Sequence, residues 1–440
     1  MISATPLPDL RTHPLRDRLN EEFHARPAMP LSSPVVVSHF ALIQEAGAAA
    51  AERQRLRKLA EAGSGQVIAQ SETHLIVESP DCRLCWEKHT EFSSYTLFRA
   101  LAADVAACTG QDKPQTLLPA WLSGVPGELI VATRVKLLAS QRISPESVTA
   151  GLSPTGRQMV GARVADRAAW VFTDFTVDDT FSDFLIIDDS LTPRQAARTV
   201  QRLLDIETYR LLALLALPVA REIGGWLGHA EEQLAELVDR IGQAQSPTDE
   251  REVLAELTRL AAKVEHSIAR TTFRFGAARA YHALVMQRIG ELREQRVTGC
   301  PTFHEIMQRR LLPAMQTCIA MAARQEELSG RLARTGQLLR TRVEVELERQ
   351  NQEQLAQMNR RARLQLRLQE TVEGLSVVAI TYYASQLVHY LAKGASTILP
   401  WLSPELTTAV SIPLIAGASV LGIHRMRSRL RAEEDAGGST

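Results

Sequence analysis

Along this chain the spacing of apolar positions changes three times, and each change predicts a different kind of element. Up to residue 190 the apolar residues come in β-branched and aromatic runs of strand length. These are Pro34–Ile43, Gln66–Glu78, Cys82–Phe98, Glu128–Leu138, Arg157–Val164, Ala168–Val177 and Phe181–Ile187. Val67/Ala69 and His74/Ile76 begin the alternation of half-buried strands. Between them Ala46–Ala62 predicts a helix closed by Gly63-Ser64-Gly65. At Thr192-Pro193 the texture turns helical, because Thr is a favoured N-cap and Pro fits the first helical turn. Leu211–Ala220 (LLALLALPVA) is too short to cross a bilayer and is bracketed by Arg210 and Arg221. It predicts a buried core helix kinked or ended near Pro218. Gln243–Asp249 and Thr298–Pro301 are turns.

From Leu311 to Leu375 the pattern predicts one long helix, with no proline after Pro313. Val343, Leu347, Leu355, Met358, Ala362, Leu366 and Val372 keep a loose three–four spacing. Gln350–Met358, however, puts Gln and Asn where a stable coiled coil wants Leu. Two structures fit that weak seam: a stalk packed on other helices, or a hydrated bundle of several subunits. Continuity with Leu375 predicts that the helix runs on into the next segment.

That segment holds two apolar runs, Leu375–Ala392 and Leu406–Ile423, each 18 residues long and free of Asp, Glu, Lys and Arg. Such a length gives about 27 Å of helix, the lower limit for a hydrocarbon core. Arg360, Arg361, Arg363 and Arg367 precede the first run, and Arg425, Arg427, Arg429 and Arg431 follow the second. The loop between them carries only Lys393 and Glu405. This asymmetry predicts a hairpin with both termini in the cytoplasm. Within the first run Thr381, Ser385 and His389 recur every four residues, with Gln386 beside them, as a polar stripe. It either lines a hydrated pore or joins helices by hydrogen bonds. Gly417, Ala418 and Gly422 form a small-residue face expected to meet the first membrane helix.

The expected fold class is α+β. Its segments are an α/β cytoplasmic domain (1–190), a helical domain (191–310), a long stalk helix (311–374), a transmembrane hairpin (375–424) and a basic cytoplasmic tail (425–440). Outside the hairpin the composition is that of a soluble body, with 23% charged residues. Lys+Arg and Asp+Glu balance at 50 each, which excludes the basic excess of a nucleic-acid binder. The N-terminus has no signal-like apolar stretch, so insertion is expected to rely on the hairpin. Five cysteines in a cytoplasmic chain predict no disulfide framework.

Candidate chemistry is sparse. Glu21, His24 and Arg26 lie together near the N-terminus, and Glu87, His89 and Glu91 alternate along an expected strand. They suit either a divalent-cation site or a structural network of hydrogen bonds and ion pairs. Cys82 and Cys85 make a CxxC followed by His89, the beginning of a zinc pattern that lacks its second pair. Asp174, Asp178, Asp179, Asp183, Asp188 and Asp189 either gather cations or simply mark acidic turns. Gly124–Gly127 and Gly224–Gly228 follow neither the P-loop nor the dinucleotide spacing, and no nucleophile elbow or zincin pair occurs. A non-enzyme is expected.

The order of an α/β domain, helical middle, long helix and two-helix hairpin resembles the CorA-type magnesium channels. The resemblance is one of architecture; where those channels carry Gly-Met-Asn, this chain has Tyr390-Leu391-Ala392-Lys393-Gly394. A lysine there opposes cation passage. His13-Pro14-Leu15-Arg16, Leu19-Asn20-Glu21-Glu22-Phe23-His24-Ala25-Arg26-Pro27 and Trp86-Glu87-Lys88-His89-Thr90-Glu91-Phe92 resemble a bacterial membrane-anchored family, domain of unknown function 3422. Together these imply an inner-membrane protein in contact with the lipid bilayer and assembled as a homo-oligomer, a pentamer if the CorA likeness holds. Two functions follow: an ion channel or transporter with a cytoplasmic regulatory domain, or a membrane-tethered scaffold or sensor without transport. The resemblances name no cofactor beyond a divalent cation.

Overall fold

The computed structural model describes residues 12–17, 19–20, 29–44, 47, 49–62, 65–80, 82–101, 124–151, 158–178, 180–395 and 403–437. They form a mixed α+β protein in two compact units, one of residues 1–244 and 252–336, the other of 245–251 and 337–440.

The first unit is built on a ten-stranded sheet. Its strands are β1 (Val35–Ile43), β2 (Gln66–Gln70), β3 (His74–Glu78), β4 (Arg83–Lys88), β5 (Phe92–Ala100), β6 (Glu128–Ala139), β7 (Val160–Val164), β8 (Ala169–Asp178), β9 (Phe181–Asp188) and β10 (Gln295–Arg296). Their spatial order is β10-β7-β8-β9-β6-β1-β5-β4-β3-β2. Neighbours are antiparallel except β6 and β9, which run parallel. Two expected runs each divide into a hairpin. Gln66–Glu78 breaks where the Ser71 hydroxyl accepts from the Thr73 amide (3.2 Å) and the Ser71 amide donates to the His74 carbonyl (2.7 Å). Cys82–Phe98 breaks where the His89 amide donates to the Phe92 carbonyl (2.8 Å). At the start of β6, Gly127 adopts φ +112, and a Cβ there would lie 2.5 Å from the Ile43 carbonyl oxygen, so only glycine fits.

Strand alternation divides the sheet into two faces. On one, Phe40, Leu42, Leu75, Val77, Leu84, Trp86 and Tyr95 pack on Leu56 and Ala60 of helix α1 (Ala49–Ala62). A buried carboxylate lies in this layer: Glu52 accepts from Ser93 Oγ and Tyr95 OH, both at 2.8 Å. After the short α2 (Pro145–Gly151), helix α3 (Pro193–Leu214) covers the other face, with Leu212 against Ala41, Phe92 and Val131. Thr192 starts α3 with a full capping box. Its hydroxyl receives the Gln195 amide, and the Gln195 side chain accepts from the Thr192 amide (2.9 Å). The helix gives way to α4 (Ala216–Gln243) at Leu215, three residues before Pro218. Proline lacks the N–H that would bond the Leu214 carbonyl, so the break precedes it.

In helix α5 (Pro247–Leu292), Thr271 and Ser267 bond to the Gln325 side chain (3.2 and 2.9 Å). Helix α6 (Phe303–Ala395) starts eight residues before the sequence predicts. Thr302 and Glu305 form a reciprocal cap, and Glu294 accepts from the Phe303 and His304 amides (2.8 and 2.9 Å). Pro313 is accommodated inside this helix.

In the second unit α6 continues without interruption to Ala395, and α7 spans Pro404–Gly437. Residues 351–372 are exposed on every side, so the expected seam of Leu355, Met358, Ala362, Leu366 and Val372 packs on no helix of the chain among the described residues. Within α7, the 19 residues Pro404–Gly422 have a mean hydropathy of 1.4 and are long and apolar enough to cross a membrane. Among the described residues this is the one helix that is. The first run is helical throughout, but Thr381, Tyr382, Tyr383, Ser385, Gln386, His389 and Tyr390 dilute its apolar character. Added Cβ atoms at Gly417 and Gly422 would meet nothing within 4 Å. The expected contact of this small-residue face with α6 is therefore not made: Gly417, Ala418 and Gly422 are exposed, whereas Thr407, Thr408, Ser411, Ile415 and Ser419 are half-buried.

Candidate functional site

The face of the sheet opposite Trp86 carries polar side chains where a hydrocarbon core would have none. His74 and Ile76 on β3 share this face with Cys85 and Glu87 on β4, and the register sets His74 opposite Glu87 and Ile76 opposite Cys85. These residues, with Met29, Leu31, His89 and Phe98, line one side of a cleft of about 250 Å³. Helices α3 and α5 supply the other side through Asp205, Tyr209 and Arg288.

Within the cleft one donor atom each from His74, Cys85 and Glu87 falls within 4.8 Å of the other two. Cys85 Sγ lies 3.3 Å from His74 Nε2. His89 Nε2 approaches Glu87 Oε2 at 3.7 Å, and its ring is stacked on Phe92 with centroids 4.1 Å apart. Across the cleft Arg288 donates to Asp205 (2.8 Å) and also pairs with Glu291. Burial pushes the Asp205 carboxyl above the usual carboxylate range, with Arg288 pulling the other way. A thiol, an imidazole and a carboxylate converging on one point can bind a metal ion or activate the thiol as a nucleophile.

Deeper on the same face His39 is buried, with Nδ1 2.8 Å from Thr96 Oγ1 and Nε2 3.1 Å from Thr208 Oγ1. Removal from water lowers its pKa to about 4, so it stays neutral.

The expected alternation of Glu87, His89 and Glu91 holds for two of the three. β4 ends at Lys88, and the following turn sends Glu91 away from the cleft. There it accepts from Arg274 (2.8 Å) and Tyr281 (2.6 Å), and burial followed by this carboxylate raises the Tyr281 pKa. Glu21, His24 and Arg26 lie outside the described residues. Cys82 closes the β3–β4 turn through its carbonyl (2.9 Å to the Ser79 amide) and is not part of the cluster, so the CxxC pairing gives way to Cys85 with His74.

The acidic residues of the β8–β9 region are dispersed. Asp183 makes a two-point pair with Arg134 (2.6 and 2.8 Å), Asp188 accepts from Ser33 and the Leu191 amide, and Asp189 pairs with Arg163. Asp179 lies outside the described residues.

In the second unit His389 Nδ1 is 3.0 Å from Thr408 Oγ1 of α7. Ser385 and Ala392, a turn to either side, are buried, and Thr381 is half-buried. Gln386 is exposed. Most hydroxyls along this contact donate within their own helix: Thr381 to Val377, Ser385 to Tyr382, Thr407 to Ser403 and Thr408 to Pro404. Thr408 Oγ1 thus lies between the Pro404 carbonyl (2.7 Å) and His389 Nδ1 (3.0 Å), and joins the two helices at this point.

His74, Asp205, Tyr209 and Arg288 escape a reading of the sequence. The available signals were same-face pairs, His74 with Ile76 and Cys85 with Glu87, which locate donors without showing that they meet.

A search of curated proteins returns no match. The expected likeness to CorA-type channels is not shown. A family model described as Protein of unknown function (DUF3422) matches residues 11–430, nearly the whole chain, and the protein belongs to that family.

Proposed function

We propose that this is a membrane-tethered sensor or scaffold, in which a two-helix hairpin anchors a ligand-binding cytoplasmic body to the bacterial inner membrane. The observation that carries the reading is the contact of His389 with Thr408. It turns the polar stripe of the first span inward, against α7, and leaves Leu387, Leu391, Leu406, Val410, Leu414 and Leu421 exposed on the outside. A hairpin that turns Thr381, Ser385 and His389 inward and these apolar groups outward suits a lipid surround and needs no aqueous path. The arginine clusters at 360–367 and 425–431 hold both ends in the cytoplasm. The cleft of the sheet then serves binding rather than turnover.

Exposed Gln386 favours self-association of this hairpin, since an amide facing lipid is stabilised by a partner helix. The runner-up is a pore formed by several copies. Single cysteines decide between them. With Thr381→Cys, Ser385→Cys, His389→Cys and Leu387→Cys in intact membranes, a water-soluble thiol reagent should label none of the four. Labelling of the three stripe positions but not of Leu387→Cys would establish a water-lined path and overturn the anchor reading. A reporter fused after Thr440 should be active only in the cytoplasm.

A further inference from the structure

We propose that His74, Cys85 and Glu87 form a binding site for a zinc-class divalent metal ion. The site stands on the first unit alone and does not depend on how the chain meets the membrane.

The geometry is that of a ligand set. In a tetrahedral zinc centre the metal–sulfur and metal–nitrogen bonds are about 2.3 Å and 2.0–2.1 Å, so sulfur and nitrogen sit roughly 3.5 Å apart. Cys85 Sγ and His74 Nε2 are 3.3 Å apart. A thiol hydrogen-bonded to an imidazole would give the same separation, and by itself it would carry nothing. The third donor makes the difference. A Glu87 oxygen comes within 4.8 Å of the others, from a position directly opposite His74 in the β3–β4 ladder. A carboxylate that only orients the imidazole of a thiol–imidazole pair bonds the far ring nitrogen and stands well away from the thiol, whereas a dication draws all three donors to one point, as here.

Charge and softness agree. A thiolate and a carboxylate balance two positive charges and neutral imidazole adds none, so the ion brings no uncompensated charge into a half-buried cleft. One sulfur and one nitrogen among three ligands favour zinc or cobalt over magnesium or calcium, which prefer oxygen throughout. All three side chains stand on paired strands, the rigid part of the fold. His89, held against Phe92 and 3.7 Å from Glu87, supports the carboxylate from outside. Three protein ligands leave a fourth position open to the cleft beside Tyr209, Asp205 and Arg288. Such an open site takes a water or a small anionic ligand.

The test uses the full chain in detergent, stripped with a chelator and titrated with Zn²⁺ or Co²⁺ alone. One metal ion per chain is expected, and Co²⁺ should give the near-ultraviolet charge-transfer band of a thiolate ligand. Cys85→Ser should abolish the band, and His74→Gln and Glu87→Gln should each weaken binding at least about 100-fold. Cys82→Ser should change neither. In the unmutated protein, Zn²⁺ should protect Cys85 from alkylation, read by peptide mass spectrometry; this arm stands even if a variant fails to fold. Alkylation of Cys85 at one rate with and without Zn²⁺ overturns the proposal. So does a cobalt band that survives Cys85→Ser, or one that disappears equally in Cys82→Ser, which would place the ion at the CxxC.

Discussion

His39 makes stability of the first unit depend on pH in a direction and by an amount that the structure sets. The side chain is buried between Thr96 on β5 and Thr208 on α3, and desolvation lowers its pKa from 6.5 to about 4. The unfolded chain therefore binds a proton that the folded chain refuses between these two values. The associated stability is complete above pH 6.5 and is lost as pH falls toward 4. With those two values, linkage gives a loss of about 2 kcal/mol between pH 7 and pH 5, rising to about 3 kcal/mol below pH 4. Other groups act in the same range. Burial raises the Asp205 pKa, which works in the opposite sense, and burial lowers that of His282, which works in the same sense. A comparison with His39→Gln, which keeps a hydrogen-bonding arm but cannot titrate, cancels both. Urea unfolding of the detergent-solubilised chain, followed by tryptophan fluorescence at pH 7 and pH 5, measures the difference. The unmutated chain should lose about 2 kcal/mol more than the variant on acidification. Equal losses in the two proteins would refute the assignment of His39 as a buried neutral imidazole.

Two further substitutions test the scaffold. Thr192→Ala removes the hydroxyl that caps α3 and should destabilise the first unit by about 1 kcal/mol with unchanged circular dichroism, as measured by urea midpoint. Trp86→Ala empties a fully buried position between the sheet and α1 and should cost about 3–5 kcal/mol, seen as a large fall in the same midpoint.

Local signals carried much of the fold. β6 and β9 end within one residue of their expected limits, and the Thr192-Pro193 start of α3 is a complete capping box. Elements misjudged in sequence were those whose boundaries rest on unusual residues. The β2–β3 turn uses Ser71, Glu72 and Thr73, without glycine or proline, and closes through a serine side chain instead. Its sequence therefore reads as uninterrupted strand. The α3–α4 break, in contrast, agrees with the kink or end expected near Pro218: it falls at Leu215, because Pro218 lacks the N–H that would bond the Leu214 carbonyl. Sheet order and the parallel β6–β9 pair depend on contacts between distant segments, which no local pattern encodes.

The candidate site divides along the same line. Glu87 and His89 were legible as alternating positions, and Glu91 was not, because alternation stops where β4 ends at Lys88. In sequence Cys85 is half of a CxxC, a spacing that pairs it with Cys82 rather than with a residue of the neighbouring strand. What joins Cys85 and Glu87 to His74 is the hairpin turn between Ser79 and Cys82, which sets the ladder. A turn one residue longer or shorter would slip that register by one and send the whole of β3 to the opposite face. Leu75 and Val77 would then face the cleft, and His74 would point into the layer now filled by Trp86 and Leu56. The hydrophobic demand of that layer is thus what fixes the imidazole beside the thiol. The same apolar residues that build the core specify the polar constellation on its reverse, although no motif announces it.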